Sequence, residues 1–509
     1  MTRILLFCLA IVASAQEEPL VRVNTRLVEV DVVVRGKHGP VADLKSGDFT
    51  VFDQGKPQRI ATFSVTGAQG RATSPELLPL GAVSNRLDEE GEETTGATVV
   101  LFDRLNTAPE DQAYGAVAFL RFLRGQPASD RIAIYSVSKT VSVIQEFTTD
   151  RERLIAAVSH ASPEQSPDEG AADLVSDLPV TGNALADAMI RNAAAEMTDN
   201  AMRNRADITA YALETIAKHL SGLPGRKKLV WITAAFPAIY TYTGQRNLST
   251  QIETREFSGR IDEAAHVLND ANVAVYPIDP RPPTSPNGGF LAPGIDTMNL
   301  FAGKTGGVAA YALTDLTGAI QSAMQDSEIT YSLGFYPSAE KLDGGYHSLK
   351  VKVARSGVEL RHRQGYLASE AKPPTEKQRE TSLKDTFANP LEATGLGLTA
   401  LAQHDPAKPG QYLLALRFNL HEFHLERENN RWVALLAIAT QFPPKKRPNG
   451  TVENIKLTLT EERLKEALRD GYVLRRPYAA GDLMGDLRVV VQDRTTGLEG
   501  SVRVPIGKN

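Results

Sequence analysis

"VVLFDRLNTAPEDQ", residues 99–112, decides how this chain is read. Four apolar residues, Val99 to Phe102, run straight into Asp103, and apolar Val117, Leu120 and Leu123 then recur at helical spacing. A strand therefore ends at an aspartate and a helix begins shortly after it. Two readings compete for the turn. Asp103, Asn106 and Thr107 offer oxygens that a hard cation could use. Thr107-Ala108-Pro109-Glu110 is also a T-x-x-E capping box with proline in the first helical turn. The cap accounts for Thr107 and Glu110 better than a metal does, and it leaves Asp103 unexplained.

Outward from this stretch, strands alternate with helices. Residues 131–138, 141–148, 227–234 and 272–279 read as strands, while 258–270 and the spacing of Leu316, Ile320 and Met324 read as helices. This pattern predicts an α/β domain over 97–327, with a mainly parallel sheet covered by helices on both faces. An acidic, alanine-rich stretch, 160–204, reads as a mobile insertion with some helix. Before the domain, 20–66 alternates Val, Leu and Ile with turn signals and predicts a β unit, followed by a Gly/Ser/Glu-rich linker, 67–96. After it, 328–367 carries antiparallel-type strands expected to pair with 20–66. A Pro/Lys/Glu-rich linker, 368–384, then leads to a separate β-sandwich-like domain, 385–509.

The chain has 509 residues, 42% of them apolar, and a net charge of −5, which gives no electrostatic case for nucleic acid. Arg3, the apolar run Ile4–Val12 and Ala13-Ser14-Ala15 predict a signal peptide over 1–15, hence export to the periplasm, cell envelope or extracellular space. Cys8 is the only cysteine, so the mature chain is expected to hold no disulfide or cysteine metal site. No segment after the signal is long and apolar enough to span a bilayer.

The order of "VNTRLVEVDVVVRGKHGPVADLKSGDFTVFDQGKPQRIATF", "VVLFDRLNT", "LPGRKKLVWIT", "VAVYPIDPR", "TGGVAAY", "YSLGFYP" and "HRQGYL" resembles von Willebrand factor A-type (VWA) proteins. It is closest to a VWA-related group found largely in Acidobacteria. The resemblance covers about residues 20–370. It implies a Rossmann-like α/β fold and protein binding at the carboxyl end of the sheet, where VWA domains with metal hold Mg²⁺ through D-x-S-x-S, a distant Thr and a later Asp. Here the matching stretch is Asp103-Arg104-Leu105-Asn106-Thr107. Leu105 has no oxygen to offer, and Thr233-Ala234-Ala235 stands where the family has T-D-G. Asp103, Thr107 and Thr209 (with Thr181 as the other choice for the distant Thr) are the remaining metal candidates. The expected cofactor is none, or at most a weakly held Mg²⁺.

Other motifs carry less. His421-Glu422-Phe423-His424 has the wrong spacing for a zincin and a strand-like context. "AGKTGG" (302–307) lacks the first glycine of a phosphate loop, and no G-x-S-x-G occurs. "DPRPPTSPNGGF" (279–290) follows a strand at the end where open α/β sheets bind ligands, and proline stiffens it. The sequence thus predicts an exported, non-enzymatic VWA-type binding module, adhesive or scaffolding, with a degenerate metal loop. Its partner is a protein or cell-envelope component met by Asp103, Asn106, Thr107, Thr233, Asp279 and Arg281. The alternatives are a Mg²⁺-dependent adhesin of the same fold and a secreted hydrolase with dispersed catalytic residues.

Overall fold

The computed structural model describes residues 27–37, 39–66, 78–86, 96–125, 131–165, 181–223, 225–246, 249–285, 293–326, 329–337, 345–368, 373–405, 408, 411–442, 450–479 and 485–507. The predicted signal peptide, most of the 67–96 linker and residues 166–180 of the predicted insertion lie outside them. The chain is mixed α/β with several sheets. Three strand pairings are parallel and the others described are antiparallel.

The parallel pairings share one sheet, in the order Val273–Ile278, Lys227–Ile232, Ala97–Asp103, Arg131–Val137 and Val141–Thr148, the last pairing being antiparallel. Its four parallel strands are buried along nearly their whole length, so they read as continuous apolar runs rather than alternating ones, whereas the edge strand Val141–Thr148 is largely exposed. Side chains still alternate in direction. Val99 and Leu101 join a core with Leu213, Ile216, Ile261 and Phe301, whereas Val100 and Phe102 join another with Phe119, Leu154 and Ile320. Helices α1 (Pro109–Gly125), α2 (Arg151–His160), α3 (Ala184–Leu220), α4 (Ser258–Asp270), α5 (Ile295–Thr305) and α6 (Leu316–Gln325) supply those two layers.

Strands from both ends of this region share a further core. Val28–Gly36 pairs with Thr330–Phe335, which also pairs with Thr62–Thr66, and Phe49–Asp53 pairs with Gly345–Val353. Val30, Val32, Val51, Tyr331, Leu333 and Val351 fill the space between these two sheets. Two more antiparallel sheets in the C-terminal region enclose Leu398, Leu414, Leu436, Val489 and Val502. They carry α7 (Glu376–Ala388) and α8 (Glu461–Asp470). Among the described residues no helix is long and apolar enough to cross a membrane.

Several expectations are corrected. The helix expected within the 160–204 insertion is continuous with the one after it: residues 184–204 are the first half of α3, a 37-residue helix about 55 Å long. Asn183 caps it, its Oδ1 accepting from the N–H groups of Leu185 and Ala186. The stretch read as a linker at 368–384 contains most of α7, started by a true capping box between Thr375 and Gln378. A hairpin, Ile239–Arg246 with Ser249–Glu256, was not anticipated. The C-terminal region has a core of its own and also touches the rest of the chain. Val83–Ser84 pairs with its strand Leu398–His404, Asn85 Nδ2 donates to the carbonyls of Ala393 and Leu396, and Thr394 Oγ1 donates to His219 O at the end of α3. The His421–His424 stretch is a short 3₁₀ turn and loop rather than a strand, with His424 Nε2 3.1 Å from Glu426 Oε1.

Candidate functional site

The carboxyl ends of the three parallel strands Ala97–Asp103, Lys227–Ile232 and Val273–Ile278 lie side by side, and each is followed by a loop. Asp103 terminates the first strand and is 1% exposed. A carboxylate buried so deeply must find donors, and Asp103 has five. Oδ1 accepts from the backbone N–H groups of Leu105 (3.1 Å) and Asn106 (3.0 Å). Oδ2 accepts from Asn106 Nδ2 (2.8 Å), Thr233 Oγ1 (2.7 Å) and Trp231 Nε1 (3.2 Å). Burial pushes the Asp103 carboxyl above its ordinary value, against the opposing pull of the donors from Asn106, Thr233 and Leu105.

The other candidates extend this arrangement. Asn106 Nδ2 also donates to Thr209 Oγ1 at 2.9 Å, which ties the loop to α3. Thr107 does not close the expected capping box: its Oγ1 accepts from Ala234 N–H at 3.1 Å, bridging to the loop after Ile232. The reason is local. Thr107 is 3% exposed and packed beneath that loop, where an otherwise unpaired N–H is the more demanding partner. The first turn of α1 keeps Glu110 and Asp111, suited to the positive helix end. Thr181 lies elsewhere, its hydroxyl donating to Asp187 Oδ1 within the first turn of α3.

Asp279 and Arg281 form the second half of the site. Arg281 Nε and Nη2 donate to the Asp279 carboxylate at 2.8–3.1 Å, and Nη2 also reaches Ala234 O (3.2 Å) and Pro293 O (2.9 Å). This is a forked pair with both partners buried, 1% and 7% exposed. Ala234 therefore receives Thr107 through its N–H and Arg281 through its carbonyl, and it links the two halves. Ala235, next along, holds φ at 53°, a left-handed conformation that favours glycine. Gly294, with φ 90°, packs so closely that a Cβ there would collide with Ala234 O.

All six loop residues picked out in the sequence are thus found at this one end of the sheet, with Thr209. Three participants were missed. Trp231 is fully buried, and its indole N–H needs an acceptor, which was a usable signal. Gln112 bridges Thr107 O and the backbone of Glu164, and Ala234 acts only through its backbone, which no side-chain motif reveals. Among the described residues, the network leaves Pro283, Thr284 and Glu110 exposed at the surface, with Ile239 at 57% exposure.

The chain matches no protein-family model and no curated protein. Among solved structures it is similar to an aerotolerance-related membrane protein from Bacteroides fragilis, with 11% identity over 45% of this chain and 98% of that one and a TM-score of 0.28. It is also similar to the manganese-loaded TRAP protein of Plasmodium vivax (10% identity, 56% and 95%, TM-score 0.27). A third is the PilB minor pilin of Streptococcus sanguinis (12% identity, 46% and 60%, TM-score 0.26). At such scores these likenesses say nothing about the site, whose reading rests on its own residues.

Proposed function

We propose that this chain is an exported, non-enzymatic binding module of VWA type that recognises a protein or cell-envelope partner with the loops at the carboxyl end of its parallel sheet, without a bridging metal. The observation that carries the reading is the Asp103 network. In a metal site the strand-end carboxylate turns its lone pairs to the ion. Here five N–H and O–H donors take both oxygens.

The rest of the donor set fits a divalent ion no better. Leu105 is wholly buried in the position of a ligand hydroxyl, Ala234 stands in place of a carboxylate, and the oxygens of Thr107 and Thr209 already accept hydrogen bonds. Asn106 Oδ1 is an acceptor without a partner among the described residues, but one amide oxygen is no cage for Mg²⁺. The flip that would turn Oδ1 elsewhere would point it at the Asp103 carboxylate, so the amide orientation is fixed. Among the described residues no three or more His, Cys, Asp or Glu side chains are grouped to hold an ion.

The same bonds make the loops stiff. Loops pinned to each other through Ala234, Asp103 and Arg281 lose little freedom on binding, so contact made by the Pro283–Thr284 tip and Ile239 keeps more of its gross energy. Capture of a partner from the native cell envelope by the full chain, with and without EDTA, tests the reading. Capture of one partner unaffected by EDTA, and weakened by Pro283→Ala with Ile239→Ser, is expected. Capture abolished by EDTA would overturn it.

A further inference from the structure

One sheet of the C-terminal region presents an outer face whose charges are of one sign. Its strands run Tyr472–Ala479, Gln411–Phe418, Leu398–His404 and Val83–Ser84 across the sheet. Leu398, Leu414, Leu416 and Leu474 turn into the core, so the residues between them turn outward. Register sets these in rows: Thr399–Arg417–Val473, Leu401–Ala415–Arg475 and Gln403–Leu413–Pro477. The rows hold two arginines and no carboxylate, and apolar Leu413 and Val473 are exposed. Gly81 lies against Leu401, a Cβ on it falling 3.7 Å from Leu401 Cδ1, and Leu80 in the same turn is fully exposed.

Where the first row ends, a cavity of about 280 Å³ is lined by Arg86, Arg417 and Arg469, with no Asp or Glu among its described lining residues. Two carboxylates outside the lining answer these three cations. Glu422 pairs with Arg86, and Asp470 accepts from Arg469 Nε and Nη2 at 2.8 Å, while Arg417 Nε donates to Asp470 O at 3.2 Å. The Arg469–Asp470 side chains are 75% and 60% exposed, so that pair is worth little and yields readily to a ligand. A Cβ on Gly397 would collide with the Arg86 guanidinium and one on Gly471 with Arg417 Nε, so these glycines leave the arginines their room. Forked guanidinium donors suit an oxyanion with several oxygens, a phosphate group above all. The chain's net charge of −5 does not oppose this, because contact is governed by charge within about 8 Å at physiological salt. A free phosphate gains nothing from Leu80, Leu413 and Val473; a phospholipid surface meets both them and the arginines.

We propose that this face docks on an anionic phospholipid surface, with a lipid phosphate in the arginine-lined cavity and Leu80, Leu413 and Val473 against the interface. It uses none of the recognition loops at the end of the parallel sheet, so the two readings stand or fall separately.

Vesicle flotation of the chain without its predicted signal peptide, which would itself insert, provides the test. Equimolar phosphatidylglycerol and phosphatidylcholine is compared with phosphatidylcholine alone, and inorganic phosphate is titrated by calorimetry alongside. Binding to the anionic vesicles is expected, far weaker on phosphatidylcholine and lost in high salt. Arg469→Gln with Arg475→Gln, both at exposed positions, should weaken it about tenfold or more, and Leu80→Ser about fivefold. No binding to either vesicle, equal binding to both, or binding indifferent to these variants would overturn the proposal. So would calorimetric uptake of phosphate without vesicle binding, which assigns the cavity to a free oxyanion. The acidic stretch that follows Arg86 in sequence is the competing occupant. Vesicle binding that emerges only on Asp88→Asn with Glu89→Gln and Glu90→Gln would assign the cavity to it and overturn the proposal as well.

Discussion

Asp103 shows how one residue type can serve two opposite designs. A strand-end carboxylate facing lone pairs outward attracts a cation; the same carboxylate surrounded by donors becomes an internal anchor. The two designs differ in what happens when the charge is removed. Asp103→Asn places an amide NH₂ among five donors, and should destabilise the fold by about 2–4 kcal/mol in urea unfolding, equally with EDTA or Mg²⁺ present. A metal-ligand role would instead make the loss depend on the ion. Leu105 marks the change of design at the next position. It is fully buried, so Leu105→Ser, which would restore a motif hydroxyl, should cost about 2–5 kcal/mol by the same measurement without creating Mg²⁺ affinity. At this scale the sequence was partly legible. Missing ligands can be read from letters, and Leu105 and Ala234 are visible as such. Where a hydroxyl goes is not a property of letters: Thr107-Ala-Pro-Glu110 has the composition of a capping box, yet the loop above it supplied a more needy partner.

Elements were legible where periodicity was strong and obscure where tertiary contact sets the length. The buried strands of the parallel sheet and α4 have apolar runs or spacing that no competing structure shares. The first half of α3 does not: alanine and polar residues give it weak periodicity, so it reads as an insertion until its continuity with Leu213, Ile216 and Leu220 is seen. Where α3 leads into the sheet, Lys227 is 3% exposed, its ammonium donating to Leu223 O at 2.8 Å, and burial lowers its pKa from 10.5 to about 8. Between about pH 8 and 10.5 the unfolded chain holds a proton on Lys227 that the folded chain has shed. Stability should therefore rise with pH across this window, by up to about 3 kcal/mol from this residue. Lys227→Met removes that term. The difference in unfolding free energy between wild type and variant, measured at pH 7.5 and pH 10, should move by this amount in favour of the wild type as pH rises.

At the scale of the whole molecule, the parallel sheet sits between other units and is tied to them at specific points. One tie joins the end of α3 to the C-terminal region. Gly222 N–H donates to Thr394 Oγ1 at 2.9 Å, that hydroxyl donates to His219 O, and a Cβ on Gly222 would collide with the Thr394 carbonyl. Gly222→Ala should loosen this junction without unfolding either core, seen as faster hydrogen exchange in residues 390–396 and earlier proteolysis between the units. Such ties are invisible in a one-dimensional reading, because each uses backbone groups or single polar residues far apart in sequence. The central claim, however, concerns the Asp103 end of the sheet. Its most direct test is the melting temperature of the full chain in EDTA and across a titration of Mg²⁺ and Mn²⁺ into the millimolar range. A site-bound ion must raise it progressively by mass action. The donor-saturated carboxylate predicts a melting temperature that is the same in EDTA and in either metal, and a rise that grows with the logarithm of metal concentration and disappears in Asp103→Asn would contradict it.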